Sequence, residues 1–129
     1  MPQPQLLVID DEPWLGEFVA AVARGSGFVT QVTSNDNQFR SRFLAHEPSL
    51  VALDLGMPGM DGVELLRFLA DQRYRSPVLI VSGFDRRVLD AAFGLGEALG
   101  LTMVGPLEKP MRIHELEAIL SLLKRDLAA

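Results

Sequence analysis

Asp10, Asp11 and Glu12 stand consecutively after a short apolar run, and Asp54, Ser82 and Lys109 each follow a later run of the same kind. Carboxylates resist being brought together: two of them about 4 Å apart repel by about 4 kcal/mol at an effective dielectric near 20. Such a cluster shifts its pKa values upward or recruits a cation. With no His or Cys in the pattern, hard carboxylate oxygens favour Mg2+ over Zn2+. Mg2+ held by one or two carboxylates keeps several waters and fills its remaining positions with phosphate oxygens. Lys109 offers phosphate a point charge and Ser82 a hydrogen-bond donor. Together these residue types describe phosphoryl transfer, with a carboxylate available as nucleophile.

That chemistry needs one place where all of them meet, and the intervening elements decide whether they do. Leu6–Ile9, Leu50–Leu53 and Val78–Val81 are continuous apolar runs too short for helices. They suit strands buried on both faces of a parallel sheet. Phe28–Val32 mixes polar and apolar residues and reads as an edge strand, while Met103–Leu107 is a weaker fifth candidate, interrupted by Gly105 and Pro106. Between the runs the period becomes helical. Leu15, Phe18, Val19 and Val22 form one stripe between Pro13 and Gly25. Asn35–His46 carries Phe39, Phe43 and Leu44 and stops before Pro48. Val63, Leu66, Leu69 and Ala70 mark a third helix, with Asp61 placed to cap it. Val88, Leu89, Ala92 and Phe93 mark a fourth, whose far half Gly94, Gly96 and Gly100 weaken. Ile113, Leu116, Leu120, Leu123 and Leu127 give the cleanest stripe.

Five strand–helix alternations predict a three-layer α/β/α domain. Its centre is a doubly wound, five-stranded parallel sheet of flavodoxin-like (βα)5 type, with strand order 2-1-3-4-5 because the second strand is the polar one. Ligands bind such a sheet outside the carboxyl ends of its strands, at the switch point between the first and third. The first, third, fourth and fifth runs deliver the acids, Ser82 and Lys109 to that edge, whereas the second delivers Thr33 and Ser34.

The chain's 129 residues, 48% hydrophobic and 22% charged, suit one globular domain and exclude disorder and low complexity. Absence of cysteine excludes disulfide scaffolds, thiolate zinc sites and cysteine nucleophiles. Met1–Leu7 has no basic n-region, and no apolar run approaches the ~18 residues of a membrane span, so a cytoplasmic location away from membranes is expected. A net charge of −5 argues against direct nucleic-acid binding. Asp10, Asp11, Glu12 and Asp54 supply four of those negative charges, so the acidity belongs largely to one sheet edge.

Asp10-Asp11-Glu12, Asp54-Leu55-Gly56-Met57-Pro58-Gly59-Met60-Asp61-Gly62, Val81-Ser82-Gly83 and Glu108-Lys109-Pro110 resemble, in order and in strand context, the receiver domain of two-component response regulators. The resemblance covers nearly the whole chain and implies a single receiver over residues 1–129 with no output domain among them, either a stand-alone receiver or a fragment of something longer. It implies that Asp54 accepts a phosphoryl group from the phosphohistidine of a histidine kinase, from a phosphotransfer protein or from a small phosphodonor. Asp11 and Asp54, with the backbone carbonyl of Gly56, would bind Mg2+, and Asp10 would act largely through a metal-bound water. Ser82 would hydrogen-bond the phosphoryl oxygens. Lys109 would pair with Asp54 before transfer and with the phosphoryl group afterwards, held in place by a cis Lys109–Pro110 bond. The implied protein is a switch rather than a turnover enzyme. Its partner, an output domain, a downstream protein or a second copy, would engage the face of the fourth helix, fifth strand and fifth helix. Val81–Asp85 and Leu101–Pro110 further resemble receivers attached to EAL-type cyclic-di-GMP phosphodiesterase domains.

Receivers often carry Tyr or Phe three residues before the lysine. Here that residue is Pro106, so no aromatic rotamer switch is expected, and output is expected through the Ser82–Arg87 loop and the fourth helix. Gly56 and Phe84 occupy positions that tune phosphoryl lifetime in the family. A plainer account makes Asp10–Glu12 first-turn acids favoured by a helix dipole, but it leaves Asp54 and Lys109 unexplained. A second reading is a Mg2+-dependent phosphohydrolase using an aspartyl-phosphate. Those enzymes favour Asp-x-Asp after the first strand and a substrate cap, for which this chain has no length. A third is a receiver fold kept as a phosphorylation-independent interaction module, and the missing aromatic keeps it open. His46 and His114 are expected in surface or helix-end roles, and Trp14 in packing beside the acidic cluster.

Overall fold

The apolar runs become strands and the periodic segments helices. The computed structural model describes residues 3–10, 12–54, 62–83, 86–109 and 111–128. Elements alternate as β1 (Gln5–Ile9), α1 (Pro13–Gly25), β2 (Val29–Thr33), α2 (Asp36–Ala45), β3 (Leu50–Asp54), α3 (Gly62–Asp71), β4 (Pro77–Ser82), α4 (Arg86–Ala98), β5 (Thr102–Glu108) and α5 (Ile113–Ala128). The strands form one sheet in the order β2-β1-β3-β4-β5, every neighbouring pair parallel, as the sequence predicts.

Successive strand residues point to opposite faces, and both faces are covered, which explains why Leu6–Ile9 of β1, Leu50–Leu53 of β3 and Val78–Val81 of β4 are apolar without interruption. Leu7, Ile9, Val51, Leu53, Val78 and Ile80 pack with Phe39 and Phe43 of α2, Leu65, Leu66 and Leu69 of α3, and Leu89 of α4. Leu6, Val8, Leu50, Ala52, Leu79 and Val81 pack with Val19 and Val22 of α1 and with Leu116, Leu120 and Leu123 of α5. The result is the three-layer arrangement, with α1 and α5 on one side and α2, α3 and α4 on the other.

Edge strands depart from the simple pattern for local reasons. β2 begins at Val29, one residue later than the hydropathy pattern predicts, because the Phe28 N–H donates to the Ala23 carbonyl at 3.0 Å and closes the end of α1. β5 runs through Gly105 and Pro106 by means of a bulge. Leu79 pairs with Val104 and Val81 with Leu107, so β5 uses one extra residue there. Gly105 sits at φ +87, where a Cβ would lie 2.9 Å from Leu79 Cδ1. An edge strand also tolerates a proline without losing a ladder hydrogen bond. α4 extends through its glycines to Ala98, and Gly96 lets it approach β5 closely, since a Cβ there would collide with the Met103 side chain. Of the glycines that read as weakening the helix, Gly96 serves its packing, whereas a Cβ on Gly94 or Gly100 would meet nothing within 4 Å. No helix among the described residues is long and apolar enough to cross a membrane.

Phe43 is the hub of an aromatic cluster, edge-on to Phe68 with ring centroids 5.4 Å apart and edge-on to Tyr74 at 5.1 Å. Tyr74 is buried and donates its hydroxyl to the Pro48 carbonyl at 2.9 Å. Phe43→Ala is expected to lower unfolding free energy by about 3–5 kcal/mol; urea denaturation checks this, and a loss below about 1 kcal/mol would remove Phe43 from the hub.

Candidate functional site

Parallel register sets the site. Ile9 of β1 pairs with Leu53 of β3, so the residues that follow, Asp10 and Asp54, emerge side by side at the carboxyl end of the sheet. Asp10 is anchored by its own backbone, whose N–H donates to the Thr33 carbonyl at 3.1 Å. Both carboxylates are buried, Asp10 with 3% and Asp54 with 5% of its surface exposed. The bulge in β5 brings Glu108 opposite Ser82, and Lys109 follows directly.

Lys109 joins them. Its Nζ donates to Asp10 Oδ2 at 3.1 Å and to Asp54 Oδ2 at 3.0 Å, and lies 3.6 Å from Glu12 Oε1. Asp10 uses its other oxygen, Oδ1, to accept the Glu12 backbone N–H at 3.0 Å. That contact ties the loop before α1 to the site. Glu12 itself is exposed, so three carboxylates form a graded group with two members buried and one reaching in from solvent.

The pKa directions follow from this geometry. Burial pushes the Asp10 carboxyl up, and the Asp54 charge adds to that; the hydrogen bonds from Glu12 N–H and Lys109 offset part of it, leaving Asp10 above its ordinary 3.8. For Lys109, burial acts to lower the pKa, but hydrogen bonds and charge from Asp54 and Asp10 outweigh it and hold the ammonium above its ordinary 10.5. Lys109 is therefore a firm cation at neutral pH.

Asp10, Glu12 and Asp54 offer one carboxylate oxygen each, all within 4.8 Å of one another. All-oxygen, hard and anionic, this donor set fits a small divalent cation such as Mg2+. The structure thus brings Asp10, Asp54 and Lys109 together. Ser82 ends β4 one strand away from Asp54, its backbone paired with Glu108. Asp11, Gly56, Asp61, Phe84, the Lys109–Pro110 bond and the Ser82 side chain lie outside the described residues. Glu12, read from sequence only as one of three adjacent acids, proves to be in reach of Lys109; its place before the Pro-led first turn of α1 was the available signal. His46 at the end of α2 and His114 at the start of α5 are exposed, as expected. Trp14 differs from expectation: it is 69% exposed rather than packed.

Fold and site define a doubly wound domain with an acidic, lysine-clamped switch-point edge. The family model described as response regulator receiver domain matches residues 6–121. The DNA-binding response regulator MtrA of Mycolicibacterium smegmatis is 35% identical over 91 residues, which cover 70% of this chain and 39% of that protein. Among solved structures, the receiver domain of the Francisella response regulator 1452 superposes with a TM-score of 0.77 at 26% identity, covering 95% of this chain and 98% of that one. The beryllofluoride-activated NtrC4 receiver domain dimer shares the fold, with a TM-score of 0.79 at 18% identity over 95% of this chain and 98% of that one. This chain belongs to the response regulator receiver domains of two-component systems. It spans about two fifths of the length of the curated relatives it matches.

Lys109→Ala leaves two buried carboxylates facing each other without their cation, and is expected to lose about 3–5 kcal/mol of stability at neutral pH. Denaturation repeated at acidic pH should show a smaller loss, because a protonated Asp10 no longer needs the ammonium. Asp10→Asn is expected to act in the opposite direction. As pH rises from 3.8 through the raised folded pKa, the unfolded chain ionises Asp10 first, so wild type loses stability across that window. Without divalent cations, Asp10→Asn should therefore have the higher Tm at neutral pH, with the difference closing below 3.8.

Proposed function

We propose that the chain is a phosphorylation-dependent signalling switch that accepts a phosphoryl group on Asp54 from a histidine kinase, a phosphotransfer protein or a small donor, with Mg2+ as cofactor. The observation that carries this reading is the Lys109 ammonium, bonded at once to the buried carboxylates of Asp10 and Asp54. A buried carboxylate held beside a fixed cation is oriented for attack, and the cation also meets the charge that arrives with a phosphoryl group.

An Asp54 oxygen forms the new bond to phosphorus as the donor's P–N or P–O bond breaks, and the leaving group departs with the electron pair. Lys109 steers the incoming phosphoryl group and then pairs with its oxygens, releasing its hold on the original carboxylate. Asp10 and Asp54, with Asp11 and the Gly56 carbonyl, would hold Mg2+. When bound, Mg2+ supplies charge neutralisation for phosphoryl oxygens. Ser82 would donate to the same oxygens from the end of β4. Residues 1–129 form on this reading one receiver domain, and the protein acts as a switch rather than by turnover.

Output is assigned to the face made by α4, β5 and α5. Lys109 directly follows Glu108, whose carboxylate lies 3.4 Å from Arg86 at the start of α4; Arg86 in turn meets Asp90 at 3.1 Å. With Pro106 in the position where an aromatic often stands, this backbone and ion-pair link is the route from site to surface. The partner is an output domain, of which the EAL type is the one the Val81–Asp85 and Leu101–Pro110 stretches resemble, a downstream protein or a second copy.

Incubation with acetyl phosphate and Mg2+ is expected to add the mass of one phosphoryl group, and Asp54→Asn is expected to remain unlabelled. Labelling that survives Asp54→Asn would overturn the assignment. Continuous phosphate release from assorted phosphomonoesters would favour the hydrolase reading instead.

A further inference from the structure

The ammonium that contacts Asp54 also borders a second feature. A cavity of about 350 Å3 opens beside it, lined by Trp14, Leu15 and Phe18 of α1 and by Met111 after β5, together with Glu12, Gly83 and Lys109. Leu15 and Met111 are buried, Phe18 is half-buried, and Trp14, which also lines the cavity, is 69% exposed. Nothing in the switch chemistry above uses these walls.

In phosphoryl transfer the attacking and leaving oxygens lie roughly in line across phosphorus. A donor drawn to Lys109 with its phosphorus facing Asp54 therefore carries its leaving group away from the acceptor, and the wall next to Lys109 is apolar. Glu12 sets the charge rule. Its carboxylate lies 3.6 Å from the ammonium and offsets that positive charge, so a negatively charged acyl group gains no net attraction there, whereas a neutral apolar one buries surface.

Resting on the reading of Asp54 as phosphoacceptor, we propose that this cavity receives the acyl part of a small acyl-phosphate donor and selects compact, uncharged, apolar acyl groups. The step balances without a further reactant. An Asp54 carboxylate oxygen bonds to phosphorus, the donor's phosphorus–oxygen bond breaks, and its electron pair leaves on the departing carboxylate, with no proton transferred.

The test compares benzoyl phosphate with acetyl phosphate, each with Mg2+ at equal subsaturating concentration, by following labelling of the intact chain. The quantity read is the ratio of the two rates, which cancels changes common to both donors. Trp14→Ala is expected to lower the benzoyl-to-acetyl ratio about fivefold, the worth of one aromatic contact. Trp14→Phe should recover part of it. Leu44→Ala, an exposed apolar change on α2 away from the cavity, should leave the ratio as in wild type. An unchanged ratio in Trp14→Ala, with Asp54 still labelled by acetyl phosphate, overturns the donor cavity and leaves the acceptor reading standing. Failure of both donors to label wild type overturns both.

Discussion

One buried ammonium between two buried carboxylates sets the demands on the rest of this domain. Charges removed from water cost several kcal/mol each unless geometry and hydrogen bonding return the loss. Lys109 meets that condition with contacts of 3.0 and 3.1 Å, and it does so from β5, reaching across β4 to residues that end β3 and β1. Asp10 and Asp54 lie together because the β1–β3 register matches Ile9 to Leu53. A slip of one residue in either strand would separate them and turn apolar faces toward the wrong layer. Packing of both faces and assembly of the site are therefore one constraint, since the hydrophobic pattern that fixes the register also places the carboxylates.

Around that rigid centre the connections are weak. Arg86, Glu108 and Asp90 are all roughly half-exposed or more, and exposed ion pairs are worth about 0–1 kcal/mol. They do not hold α4 in place; Leu89, Gly96 against Met103, and the apolar face behind them do. A firm clamp at the sheet edge beside loosely held polar links suits a protein in which a local charge change has to alter a surface.

The alternation of apolar runs and helical stripes was legible because parallel strands buried on both faces have no polar residues to blur their limits. Residues following each run could be placed at one edge for the same reason, which made Asp10, Asp54 and Lys109 readable before any coordinates. What was not legible depended on contacts between distant segments. Phe28 reads as strand but spends its N–H on the end of α1. Gly105 and Pro106 look like breakers, yet a bulge absorbs them. Gly96 looks like a helix defect until Met103 is found against it. Glu12 and Trp14 have no periodicity to report, because their surroundings are completed by Lys109 and Met111 from the other end of the chain.

The charge balance of the site shows why a carboxylate cluster with a single lysine is suited to a reversible event. Among the described residues, Asp10, Glu12 and Asp54 face one ammonium, leaving the group net negative. On the proposed reading a phosphoryl group would bring more negative charge to the same spot. A divalent cation would supply the missing positive charge, and the all-oxygen donor set is the kind that can hold such an ion with room for phosphate oxygens. On the proposed reading, acceptance of the group and binding of the cation would be coupled by electrostatics. Each would stabilise the other, and loss of either would return the clamp to the arrangement in which Lys109 binds the carboxylates directly.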